Sequence, residues 1–122
     1  MNLCDLISAF SIDLIITDEF RFLVHLNLSD TVTMSVGVGE GYYCSPREKL
    51  RNLNGYTQVE AQFFYTGSEK EFHADTYIPE IHPLREEYLE IFETIDNDLA
   101  TYADIETLFG LATLIARRSS NV

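Results

Sequence analysis

The sequence predicts an α+β fold: a mainly antiparallel sheet of four to five strands packed against two C-terminal helices, with a short N-terminal helix ahead of them. Three observations carry that expectation. Stretches of alternating polarity at 20–28, 31–36 and 56–65 occupy the earlier part of the chain. Apolar residues at helical spacing come late, near 84–94 and 104–117. Strands in a run followed by helices argue against βαβ units. With 122 residues, 46% of them hydrophobic, the chain can bury a core, so residues 1–122 read as one domain.

The elements follow in order. Leu3, Leu6, Ile7 and Phe10 make the apolar stripe of a helix over 2–10, with Asn2 as its cap and Asp5 in its first turn. Ile12, Leu14 and Ile16 then alternate as a strand over 12–17. In 20–28, Phe20, Phe22, Val24, Leu26 and Leu28 share one face, and His25 stands on the more polar one. Thr31–Val36 is rich in β-branched residues and forms the next strand. The following Val-Gly-Val-Gly-Glu-Gly has its third glycine at the wrong offset for a phosphate loop, and no helix comes after it. A bulge or close backbone approach at the end of the sheet is the expected role.

Cys44 has Arg47 three residues on, and a neighbouring cation lowers a thiol pKa, so Cys44 is the one candidate nucleophile. No motif names a base among His25, His73 and His82, and a packed structural cysteine is the ordinary reading. The loop Arg47–Asn52 holds three of the eight basic residues; it is a solvated loop or an anion-binding patch. Asn54-Gly55 is a turn signal, and Tyr56–Tyr65 alternates clearly. A four-residue turn at 66–69 would return Glu71–Ile78 antiparallel, with Phe63 opposite Phe72 and Ala61 opposite Ala74. That register groups Glu60, His73 and Asp75, a candidate for a cation, against which a solvated polar face is the ordinary reading. Asp96-Asn97-Asp98 opens like a calcium loop, but Ala100 and Thr101 stand where Asp or Asn and Gly belong. Neither a metal nor a cofactor is therefore expected.

Pro83 suits a helix start, and Leu84, Tyr88, Ile91, Phe92 and Ile95 give that helix a buried stripe. Glu86, Glu90 and Glu93 line its outer face. Like charges at this spacing cost a few tenths of a kcal/mol, about 0.2–0.5 per pair. They are tolerated in solvent or kept for a partner. After a short strand near 99–102, Ile105, Leu108, Phe109, Ala112 and Ile115 mark the last helix, widened by Leu111 and Leu114. So broad a face is that of a core helix, or alternatively of a homodimer contact.

Charge narrows the function classes. Lys and Arg number 8 against 20 Asp and Glu, a net charge of −12. Of this, −10 falls in 71–106, which has eleven acids and one base, Arg85. Such a balance disfavours direct binding to nucleic acid or anionic membrane and favours a basic protein surface. Cys4 and Cys44 are too few and too far apart for a disulfide scaffold, and the N-terminal stretch lacks the basic start of a signal peptide. No run of about 18 apolar residues is present, so no membrane span is expected. The reading is a cytoplasmic protein whose binding residues are Glu86, Glu90, Glu93, Asp96 and Asp98.

Thr-Val-Thr-Met-Ser-Val at 31–36, Tyr-Tyr-Cys-Ser-Pro-Arg-Glu at 42–48 and Tyr-Thr-Gln-Val-Glu at 56–60 together resemble a group of small uncharacterised proteins encoded by bacteriophages and prophages. The strand and helix of 102–115 are similar to that group's closing elements, whereas the N-terminal lead and the acidic stretch at 80–98 depart from it. The resemblance carries no catalytic residues. It implies an accessory protein acting inside a bacterial host cell, where anti-defence inhibition of a host protein or nucleoprotein complex is the natural function. A phage structural or assembly protein that oligomerises is the alternative, and a cysteine-dependent enzyme a lesser one.

Overall fold

Local hydrogen bonding starts the chain. A computed structural model describes residues 1–93 and 97–120. Helix α1 (Leu3–Ser8) opens on a reciprocal cap: Asn2 Oδ1 accepts the Asp5 N–H at 2.9 Å, and Asp5 Oδ2 accepts the Asn2 N–H at 3.0 Å. Leu3 and Leu6 are buried, as the stripe requires. Strand β1 (Ser11–Thr17) follows, so the helix-then-strand reading of the N-terminal segment holds. The turn into β2 (Arg21–Asn27) is fastened by Asp18, whose Oδ1 accepts the Phe20 and Arg21 N–H groups at 2.8 and 3.0 Å.

The sheet is antiparallel throughout, in the order β1-β2-β3-β4-β5, with β3 at Val32–Gly39, β4 at Gln58–Tyr65 and β5 at Leu99–Asp104. Register sorts the side chains. Val24 pairs with Val36, Leu26 with Met34, Met34 with Phe63 and Val59 with Ala103; all are buried on one face. Helix α3 (Ile105–Ser120) contributes Leu108, Leu111, Ala112 and Ile115 to the same core. Each buried Leu or Ile adds about 1.5–3 kcal/mol. The broad stripe is therefore used inside the chain: Leu111 is wholly buried and Leu114 half-buried against the core. No helix is long and apolar enough to cross a membrane among the described residues.

The glycines of the third strand do what close approach demands. A Cβ on Gly37 would stand 2.5 Å from Cε1 of Tyr42, and Gly39, at φ +120°, lies against the Phe20 carbonyl. Glu40 donates its N–H to that carbonyl at 2.8 Å. Gly110 has an equally concrete reason, since a Cβ there would sit 2.6 Å from the Tyr88 hydroxyl.

Two expectations are corrected. Glu71–Ile78 is not a strand. β4 pairs with β5 on that side, where Ala100 lies opposite Ala61 and Ala103 opposite Val59. β5 occupies the slot, and Phe72 is buried against the core. Its ring stacks on Phe63 at 5.6 Å and on Tyr77 at 5.3 Å. Residues 74–77 form a 3-10 turn, and burial with the Tyr65 hydroxyl at 3.0 Å pushes the Tyr77 phenol up to about 12. The second helix, α2 (Arg85–Glu90), is also shorter than the expected 84–94. Leu84 is exposed at its entrance, and the chain leaves it at Ile91 to run beside β5, where Phe92 bridges to Ala100. Ile95, assigned to the same stripe, falls outside the described residues.

Candidate functional site

Helix α2 and the extended residues after it position the acidic strip. Tyr88 is the buried anchor of α2, lying over Gly110 of α3, and this turns Glu86, Glu87 and Glu90 outward, all exposed. Glu93 is exposed as well, its N–H held by the Leu99 carbonyl at 3.0 Å. Arg85, the one base of this stretch, points inward: its Nη1 donates to the carbonyls of Ile78 and, at 3.4 Å, Asp75. It neutralises none of the four glutamates by a direct ion pair. Asp98 is half-buried and engaged, and its carbonyl accepts the Phe63 N–H at 2.8 Å. Asp96 lies outside the described residues.

Next to Glu93 is a feature that sequence reasoning missed. The β4–β5 register slips between Val59 and Ala61, and Tyr102 sits in that irregularity with φ +47°, uncommon for a bulky residue. Its N–H donates to the Tyr43 carbonyl at 2.9 Å, and the two exposed rings lie 5.8 Å apart. The Arg47 guanidinium covers the Tyr43 ring at 4.9 Å. Beneath them, Glu60 Oε1 accepts the Tyr43 N–H at 3.3 Å. Burial raises the Glu60 pKa, and the charge of Glu93 pushes the same way. Tyrosine and arginine are enriched where proteins make contacts, whereas carboxylates are depleted there. Nothing local in the sequence signals that Tyr43 and Tyr102 meet.

The other candidates come apart. Cys44 is fully buried; its Sγ contacts the Gly39 N–H at 3.4 Å and the Pro46 carbonyl at 3.2 Å. Desolvation raises its pKa, and Arg47, committed to the Tyr43 ring and the Tyr42 carbonyl, offsets this only in part. Glu60, His73 and Asp75 do not converge: Glu60 serves the Tyr43 amide, and His73 lies 3.7 Å from Glu71. Among the described residues no three His, Cys, Asp or Glu side chains gather as metal ligands. The basic loop is largely spent on structure, with Lys49 Nζ on the Asp18 carbonyl at 2.9 Å and the Leu50 N–H on the Tyr56 hydroxyl at 2.8 Å.

Neither a family model, nor a curated protein, nor a solved structure matches the chain.

Proposed function

We propose that this is a small acidic interaction protein of the phage-accessory type, which binds a basic surface of a host protein or nucleoprotein complex and inhibits it inside the bacterial cell. Its carboxylates would lie where nucleic-acid phosphates otherwise would. One observation carries this reading: Glu86, Glu87, Glu90 and Glu93 are each exposed, and Arg85 is bonded to backbone carbonyls instead of to them. The Tyr43–Tyr102 pair beside Glu93 adds the aromatic contact area that a purely electrostatic surface lacks. Binding of this kind is fast and weakens with salt.

The test is capture from a bacterial lysate with the wild-type protein and with the triple variant Glu86→Lys, Glu90→Lys, Glu93→Lys. A basic partner should be held by the wild type, released by about 0.5 M salt, where the Debye length shrinks to a few ångströms, and lost from the variant. A partner held equally by both proteins would discard this surface.

A further inference from the structure

At the far side of the sheet, some four strand spacings or about 19 Å from β5, the backbone of β1 pairs on one side only, and Lys49 Nζ meets the Thr17 hydroxyl at its end. Among the described residues no backbone group other than those of β2 pairs with 11–17. Apolar side chains stand exposed on both faces. Ile12 and Ile15, opposite Leu26 and Val24, lie on the helix side at 48% and 49% exposure. Leu14, opposite His25, lies on the other side at 42%. Asp13 occupies the bulge between Ile12 and Leu14. A charge at a bulge on an edge strand is a device that keeps like edges apart. In a chain of net charge −12 it opposes a second copy. The first twenty residues hold four acids and no Lys or Arg. Beside Asp13 is a hollow of about 410 Å³ lined by Ser11, Asp13, Asn27, Ser29, Asp30 and Thr66, two carboxylates and no base.

From these features we infer that β1 accepts an added strand from a basic partner: an extended apolar segment that carries Lys or Arg, one of which enters the hollow between Asp13 and Asp30. Main-chain hydrogen bonds along the bare edge supply affinity, and the hollow supplies the sign of charge. This surface stands apart from the glutamates of α2, and its failure leaves them untouched.

The probe is a blocked peptide, Lys-Val-Val-Lys-Val-Val-Lys, with a control in which Glu replaces each Lys, titrated into the full chain and followed by amide NMR shifts. The Lys peptide should shift the amides of 11–17 and bind at least about tenfold more tightly than the Glu peptide. Asp13→Asn with Asp30→Asn should cost about fivefold. Leu14→Lys with Ile15→Lys, at exposed positions and checked for folding by circular dichroism, should abolish the shifts. Equal binding of both peptides, no binding, or shifts confined to other elements would overturn the inference. So would sedimentation of the peptide-free protein as two copies with 11–17 protected from exchange, because the edge would then belong to a second copy.

Discussion

Residues 91–93 run along the outer side of β5, while among the described residues no segment pairs along the outer side of β1. Thr101 donates to the Ile91 carbonyl at 3.0 Å, Glu93 to that of Leu99 at 3.0 Å, and Tyr102 to that of Tyr43 at 2.9 Å. At β1 nearly every residue is exposed, and Lys49 Nζ reaches the Thr17 end, 3.3 Å from Oγ1. A sheet can close an edge with its own chain or guard it with a charge and a bulge. Here one edge of each kind occurs in the same molecule. The closed edge is a scaffold that presents Glu93 and Tyr102; the guarded edge is itself a surface.

One substitution placed at both edges breaks the contrast most directly. Ala100→Lys puts an ammonium into a fully buried position and should cost about 4 kcal/mol in urea unfolding. The next effect sharpens the closed side. Gly110→Ala gains about 1 kcal/mol of helix propensity but drives a methyl into the Tyr88 hydroxyl, an overpacking of about 1–3 kcal/mol. A net loss of about 1 kcal/mol is expected, largely recovered when Tyr88→Phe is added, as thermal unfolding of both variants would report.

Two carboxylates then give the edges opposite pH signatures. The Phe20 and Arg21 amides hold Asp18, at the β1 turn, below its ordinary 3.8. The folded chain binds that proton less readily than the unfolded one. Its stabilisation is complete above 3.8 and is lost as pH falls through the folded value. Burial holds Glu60, beneath Tyr43, above its ordinary 4.5, so stability declines as pH rises from 4.5 through the folded value. Asp18→Asn should flatten the acid limb of the stability profile. Glu60→Gln should raise stability at pH 7, by about 0.5 kcal/mol or less given solvent screening, and leave pH 3 unchanged. Smallest of all, Leu14→Lys on the open edge should move stability by no more than about 0.5 kcal/mol either way.

Much of the fold is legible because burial and period coincide. Val24, Leu26, Met34 and Phe63 alternate and all face the core, and the α3 stripe repeats at helical spacing. Glu71–Ile78 misleads for a physical reason. Phe72, Ala74 and Ile78 are buried as a strand's inner face would be, yet they cover the sheet end rather than join it. Nothing local decides which segment takes the slot beside β4, since Ala74 and Ala100 are equally small partners for Ala61. The exposure of Glu86 and Glu90 follows from Tyr88 being buried and is readable in advance; Glu93 is exposed too, but in the extended run beyond α2 rather than on a helix face. The Tyr43–Tyr102 contact is not, because it depends on a left-handed residue inside an irregular ladder.

The order of the strands also dictates an order in time. β1, β2 and β3 are joined by turns of a few residues, so their pairing closes small loops. Joining β5 to β4 must first gather in residues 66–98, a slower search with more chain entropy to lose. The glutamates of α2 lie wholly within that loop. They should take up their final arrangement with the late step, after the guarded edge has formed, and pulse-labelled hydrogen exchange should find β2 and β3 amides protected before those of β5.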